Sequence, residues 1–229
     1  MQAVIKTENL HKTYDDDGVP VHAVRGVDLE IHGGEFTALV GPSGSGKTTL
    51  LNMMAGLDTP SKGQAFLEDK SIGRMSGREL SDFRRDKIGF IFQAYNLIPV
   101  LTTAENVEYV MLLQGVSAEE RRKRVEEMLE DVGLEDYIDT LPSKLSGGQQ
   151  QRVAIARAMA AKPSLVMADE PTANLDSETS GELLDMMREL NRSTGMTFLF
   201  STHDEIVMER ATRVVILRDG RIAEDERKA

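Results

Sequence analysis

The chain has no cysteine. Disulfides and thiolate metal sites are therefore excluded, and a cytosolic setting fits. Long apolar stretches are missing too: the longest uninterrupted run, Tyr109 to Leu113, is five residues, far short of the roughly 20 needed to span a bilayer. The first residues, MQAVIKTENL, show neither a basic n-region nor an apolar h-region, so no secretory signal is expected. Positive charge is scarce. With 27 Lys and Arg against 38 Asp and Glu, the formal net charge of −11 works against non-specific binding to a nucleic-acid backbone unless a local basic patch overrides it. No internal repeat, low-complexity tract or long linker is present.

What remains is ordinary globular material. At 229 residues, 40% hydrophobic and 28% charged, the chain suits one large α/β domain or a core with a subdomain. Its 12 methionines read as deformable core filler. Residues 2–8 and 21–32 alternate apolar and polar positions and predict antiparallel strands, joined through a turn at Asp15-Asp16-Asp17-Gly18 and Pro20. Residues 35–40, 88–92, 164–168 and 197–201 read as buried strands between helices, which argues a mostly parallel sheet. Ser76/Glu79, Thr102/Glu105 and Ser117/Glu120 have capping-box spacing. From about residue 94 to 161 the pattern turns helical and predicts an inserted subdomain between core segments 1–93 and 162–229. There, Val125, Met128, Leu129 and Val132 form an apolar stripe stopped by Gly133. The basic run Arg121 to Arg124 reads as a solvated face, with Glu119–Lys123 and Glu120–Arg124 as (i, i+4) pairs. Strand character returns at 214–217, Asp219-Gly220 predicts a hairpin turn, and the tail from Glu224 to Ala229 is expected to fray.

Chemistry concentrates at three stations. Gly41 to Thr49 reads GPSGSGKTT and follows the apolar run EFTALV, a strand, glycine loop and helix in the pattern G-x-x-x-x-G-K-[ST]. Gly41, Gly44 and Gly46 let the backbone aim several N–H groups at one anion, and the following helix adds its positive end. Lys47 is placed to neutralise β/γ-phosphates and Thr48 to ligate Mg²⁺. The chain is therefore expected to bind a nucleoside triphosphate. Ser164 to Pro171, SLVMADEP, is an apolar strand ending in two carboxylates that project differently. Asp169 is suited to the Mg²⁺ shell and Glu170 to the attacking water, a division of labour that phosphoryl transfer requires. Alone, an Asp-Glu pair is usually a surface feature; after a buried strand and a phosphate loop it is not. The third station is Leu145-Ser146-Gly147-Gly148-Gln149, where paired glycines leave a helix N-terminus bare and offer a second anion site. It reads either as a flexible helix cap or as the contact for a phosphate held by another copy of the chain.

Taken together these residues resemble the ATP-binding-cassette (ABC) ATPase family along essentially the whole chain. The resemblance covers the phosphate loop at 41–49, a glutamine loop at Gln93 and LSGGQ at 145–149. It continues through the strand ending in Asp169-Glu170, a D-loop at Ala173-Asn174-Leu175-Asp176, and His203 in Ser201-Thr202-His203-Asp204. It implies an α/β phosphate-loop NTPase core with a mostly parallel sheet, an N-terminal antiparallel β subdomain and an inserted helical subdomain. It also implies specific roles. Tyr14 would stack on adenine, and Ser43, Gly44, Ser45, Gly46, Lys47, Thr48 and Thr49 would hold the phosphates and Mg²⁺. Gln93, with Thr48 and Asp169, would complete the metal or water shell. Glu170 would be the general base, with His203, Gln93 and Lys47 sharing the catalytic work. Ser146, Gly147, Gly148 and Gln149 would close on the nucleotide of an opposite subunit, with Asp176 at the seam. Ala173 stands where glycine is frequent and Asn174 where alanine or glycine occurs elsewhere; neither removes a catalytic group.

More narrowly, RRDKIGFIFQAYNLIP (84–99) followed by LTTAENVE resembles the ATPase subunits of lipoprotein-releasing and macrolide-export systems, the MacB/LolD-like branch. That likeness implies ATP and Mg²⁺ as cofactors and a head-to-tail homodimer on ATP binding. It further implies an integral membrane permease docked near Gln93 and Tyr95–Glu105, and a peripheral position on the cytoplasmic face of the membrane. A soluble ABC-type ATPase acting on nucleic acid or ribosomes is opposed by the short interval from Thr49 to Leu145, the absence of cysteine and the single motif set. A GTPase or small-molecule kinase leaves LSGGQ and His203 unexplained, and no Asn-Lys-x-Asp motif is present.

Overall fold

The computed structural model describes residues 3–16 and 18–228; Asp17, Ala229 and the first two residues, on which part of the first strand, turn and tail expectations fell, lie outside it. The chain opens with a long antiparallel pair, β1 (Ala3–Asp16) and β2 (Val19–His32). Toward its end β2 buries alternate residues, Val27, Leu29 and Ile31, as a strand with one covered face must. Next come β3 (Phe36–Val40), helix α1 (Lys47–Met54), β4 (Lys62–Leu67) and the two-residue β5 (Lys70–Ser71). β4 pairs antiparallel with β1. These outer strands form a four-stranded sheet in the order β2-β1-β4-β5.

Helix α2 (Gly77–Lys87) runs directly into β6 (Ile88–Ile91) and carries a complete Ser76/Glu79 capping box. The stretch after β6 departs from the helical expectation. Tyr95 and Asn96 both adopt positive φ, +56° and +51°, and the first helix begins only at Thr103. Two consecutive left-handed residues cannot continue an α-helix. The helical insert is α3 (Thr103–Leu113), α4 (Ala118–Asp131) and α5 (Gly147–Ala160). Thr102 and Ser146 make full capping boxes; Ser117 accepts from the Glu120 amide, but its hydroxyl turns to the Glu120 carboxylate instead of completing the box. The expected (i, i+4) pairs also differ. Arg121 binds Glu108 on α3 at 2.7 Å, while Lys123 and Arg124 face Glu127 at 4.0 and 3.4 Å. The run is not wholly solvated, because Arg121 and Arg124 lie down against neighbouring helices.

The remaining elements are β7 (Leu165–Asp169), α6 (Ser177–Thr194), β8 (Thr197–Thr202), α7 (Glu205–Arg210), β9 (Arg213–Arg218) and β10 (Arg221–Arg227). They complete a six-stranded sheet, β10-β9-β3-β8-β7-β6, parallel except for the β9–β10 hairpin. β10 replaces the frayed tail expected there. Arg213 donates to both Asp225 oxygens at 2.8 and 2.7 Å, Arg227 reaches Glu35 at 2.7 Å, and the Lys228 amide donates to Thr212. β3, β7 and β8 are buried on both faces, which explains their continuous apolar runs. Period-two alternation then splits one sheet between two cores. Phe36, Ala38, Val166, Phe198 and Phe200 pack toward α5 and α6, whereas Leu39, Leu165, Met167 and Leu199 pack toward α1 and the antiparallel sheet. Burial of rings such as Phe36 and Phe198 contributes about 1.5–3 kcal/mol each. The parallel strands consequently end, at their C-terminal edge, on the loops that carry the chemistry.

Candidate active site

The loop between β3 and α1 is shaped from behind. Gly46 has φ +100°, and a Cβ there would lie 2.2 Å from the Ala23 carbonyl oxygen of β2; a Cβ on Gly41 would lie 2.2 Å from that of Leu217 on β9. A side chain at either position would push the loop out of its seat. The β9–β10 turn holds it there, because the Gly220 amide donates to Ser45 O at 3.0 Å and the Arg25 amide to Gly220 O at 2.8 Å. Gly46 caps α1 without a side-chain hydrogen bond, and no acidic residue occupies the first turn. The helix thus presents unneutralised N–H groups, the condition for anion binding. The buried Lys47 ammonium folds onto its own loop, donating to Gly41 O at 2.7 Å and Pro42 O at 3.2 Å.

In front of the loop lies a cleft of about 660 Å³. One wall is Ser43, Gly44, Gly46, Lys47, Thr48 and Thr49; Gln93, Glu170 and His203 close the reacting end, and Val21, His22 and Arg25 the other. Thr48 Oγ1 is 3.3 Å from Asp169 Oδ1. The next residue turns away: Glu170 has φ +47°, and its amide donates to Ser201 O at 2.8 Å. A non-glycine residue costs energy in that region, a mark of a site where geometry overrides local preference. Glu170 is held at both oxygens. Oε1 is 2.8 Å from His203 Nδ1, and Oε2 accepts from Thr202 Oγ1 at 3.2 Å.

The donor set fits a hard divalent cation only in part. Thr48 and Asp169 supply two oxygens, and among the described residues no group of three or more acidic, His or Cys residues is placed to hold a metal ion. A small cation completed by water and phosphate oxygens, as Mg²⁺ usually is, matches that set.

Several expected residues stand away from this wall. Tyr14 lies beyond Thr49, and its hydroxyl donates to Asp58 Oδ2 at 2.6 Å. Ser146 and Gln149 are engaged in their own capping box, while Gly147 faces the Tyr95 hydroxyl and Gly148 the Thr179 methyl. No acidic residue occupies the first turn of α5, so this second helix end is also electropositive. Asp176 caps α6 through the Thr179 amide at 2.9 Å and hydroxyl at 2.7 Å, and these bonds hold its carboxyl below the usual range. The chain's own fold therefore does not bring LSGGQ to its own phosphate loop.

Sequence reasoning missed the braces. Asn174 Nδ2 donates to Gln93 O at 2.7 Å, and the Arg157 guanidinium donates to Tyr95 O and Asn96 O at 2.9 and 2.5 Å, fixing the left-handed turn after Gln93. Gln151, fully buried on α5, donates to Pro171 O at 2.7 Å, next in the chain to Asp169 and Glu170. Asn174 had been singled out only as a departure; the others carried no local signal.

Comparison with known proteins follows the same geometry. The family model described as ABC transporter matches residues 24–173. The chain belongs to the ABC transporter ATP-binding family. Among ABC relatives, the cassette MJ0796 of Methanocaldococcus jannaschii was solved as a dimer in a post-hydrolysis state bound to ADP and Pi. It superimposes with a TM-score of 0.89 at 42% identity, covering 98% of this chain and 99% of that one. The lipoprotein-releasing system ATP-binding protein LolD of Idiomarina loihiensis is 40% identical over 218 residues, 95% of this chain and 96% of its own. The macrolide export ATP-binding/permease protein MacB of Brucella melitensis is 42% identical over 225 residues, 98% of this chain but 35% of its own length. The MacB/LolD-like resemblance and the phosphate-loop α/β fold are borne out. Among the described residues no helix is long and apolar enough to cross a membrane.

Proposed function

We propose that this chain is the ATP-hydrolysing subunit of an ABC transporter, working as a pair in which each nucleotide is held by one protomer and covered by the other. One observation carries the reading: the cleft is complete on its phosphate-loop side, while Ser146, Gly147 and Gly148 sit at a separate helix N-terminus, outside the cleft of their own chain. A relative solved as a dimer with ADP and Pi supports it.

In this mechanism the loop amides and the α1 N-terminus receive the phosphates, and Lys47 leaves Gly41 O and Pro42 O for β/γ oxygens. Thr48, Asp169 and Gln93 would hold Mg²⁺, which would supply charge neutralisation at those oxygens. Glu170, placed by the strained turn, takes the proton of the attacking water on a carboxylate oxygen. His203 fixes that carboxylate through Oε1 and contacts the γ-phosphate. The Ser146 hydroxyl and the amides of Gly147 and Gly148 from the second protomer cap the same phosphate, with Gln149 bracing the turn and Asp176 at the seam.

An apolar groove of about 470 Å³ between α2, α3 and β6, lined by Leu57, Phe90, Phe92, Ile98, Tyr109 and Leu113, supports docking of a membrane partner there. The groove begins at the segment after Gln93 but runs onto α3 rather than stopping at Glu105. A permease segment seated there on the cytoplasmic side would feel the cleft through Gln93, and residues 94–161 would move as a unit with it. That MacB is named an ATP-binding/permease protein agrees with such a pairing.

Glu170→Gln tests the chemistry. Steady-state ATP hydrolysis is expected to drop by about 10²–10⁴-fold with ATP affinity retained; unchanged turnover would remove Glu170 from the role of base.

A further inference from the structure

Asp58 and two β1 residues, Lys12 and Tyr14, form a closed cluster. Tyr14 Oη donates to Asp58 Oδ2 at 2.6 Å. Lys12 Nζ donates to Asp58 Oδ1 at 2.5 Å and to Thr59 O at 2.8 Å, and it lies 4.8 Å from the centroid of the Tyr14 ring. Thr49, close to the Tyr14 phenol, lines the cleft. Next in the strand, Thr13 Oγ1 is 2.9 Å from Nδ1 of His22, another cleft residue. The ring is thus fixed at its tip by Asp58, covered by the Lys12 ammonium, and set beside the cleft.

We infer that Asp58 is a positioning residue for the base end of the nucleotide, fixing the Tyr14 ring through the phenol so that one face stays free to stack. The inference rests on the reading that Tyr14 takes the base. Its physical content is entropic. An unanchored tyrosine at a strand end samples several χ1 wells, and each base that stacks must first select one; a ring already held loses less on binding. Lys12 completes the arrangement, because its cation lies against the ring π-face and balances the Asp58 carboxylate. The protonation states agree. Burial alone would push the Asp58 carboxyl up, but hydrogen bonds from Lys12 and Tyr14 outweigh it and hold the group below its ordinary value. Asp58 is therefore a constant acceptor at neutral pH. Burial, with the neighbouring carboxylate, keeps the phenol protonated and donating.

The test compares ATP with inorganic tripolyphosphate, which carries the phosphates but no base, by calorimetry on Asp58→Asn, Asp58→Ala, Tyr14→Phe, Tyr14→Ala and the double variant Tyr14→Phe/Asp58→Ala. Asp58→Ala and Tyr14→Phe are each expected to weaken ATP about 3–10-fold, a change on the scale of a lost hydrogen bond, and to leave tripolyphosphate binding unchanged. Asp58→Asn, which keeps an acceptor, is expected to restore most of the ATP affinity. The double variant is expected to match the single ones, since both break one contact. In turnover, KM should rise with kcat retained. Tyr14→Ala with full ATP affinity would overturn the base-stacking reading itself. Loss in Tyr14→Ala beside wild-type affinity in Tyr14→Phe and Asp58→Ala would overturn only the role of Asp58. Equal weakening of ATP and tripolyphosphate in Asp58→Ala would assign Asp58 to holding the loop and would also overturn the inference.

Discussion

A methyl group at position 46 would lie 2.2 Å from the Ala23 carbonyl oxygen, on a backbone whose φ is +100°. Gly46→Ala therefore adds strain of about 1–3 kcal/mol, relieved only by moving the loop off β2. The variant is expected to fold with a melting temperature lowered by several degrees and to lose the stabilisation that ATP gives the wild type; calorimetric scans with and without nucleotide check this. Equal ATP-induced shifts would show that the loop tolerates a side chain. At this scale the site was legible wherever chemistry sits in consecutive residues. The placement of Lys47, Asp169 and Glu170 at one cleft follows from local strings because loop and strand end carry them there. Asp58 did not, since its partner Tyr14 is 44 positions away and nothing in either neighbourhood marks the pairing. Gln151 and Arg157 were hidden for the same reason: both sit on α5, but their partners, Pro171 and the Tyr95–Asn96 turn, belong to other elements.

Elements follow the same division. Ser76, Thr102 and Ser146 start helices as their spacing predicts, because a capping box is closed within four residues. The C-terminal hairpin forms at Asp219-Gly220 as expected, but its second strand runs on to Arg227 where fraying is expected, because Arg213, which ties Asp225 and Glu35, acts across 12 and 178 positions. Arg213 and Glu35 are both buried, with side-chain exposures of 8% and 11%. Arg213→Ala leaves Glu35 with Arg227 still facing it at 2.7 Å and Asp225 in contact with water, so the expected cost is about 3 kcal/mol, the lower end for a broken buried pair. Urea unfolding monitored by far-UV circular dichroism measures it; a loss below about 1 kcal/mol, the level of an exposed pair, would contradict a buried role. The pH sign is fixed as well. Arg213 holds the Asp225 carboxyl below its ordinary 3.8, so its stabilisation is fully present above that value and vanishes as pH falls through the lower folded value. Asp225→Asn should accordingly be less stable than wild type at neutral pH, with the difference shrinking in acid below about 3.8. A gap independent of pH would argue that charge is not involved.

For the whole molecule, the two electropositive helix ends lie on separate parts of one chain, and the proposed shared site requires two chains of formal charge −11 to meet. Like charge resists that meeting, and salt screens it. Nucleotide-driven pairing should tighten as ionic strength rises from about 0.01 to about 0.15 M, over which the screening length falls from about 30 to about 8 Å. Pairing that weakens over this range would mean that direct cross-subunit ion pairs dominate the seam. The broad architecture was readable from alternating strands and helices, since the parallel direction of β3, β6, β7 and β8 follows from strands separated by helical crossovers, whereas their spatial order does not. The most direct measurement is sedimentation velocity of Glu170→Gln with saturating Mg-ATP, with Mg-ADP and without nucleotide, after calorimetry has verified that ATP is bound. A dimer with ATP and monomers in the other two conditions is the expected result. ATP-saturated protein that sediments only as monomers, with a solubilised permease supplied as well, would contradict the shared site.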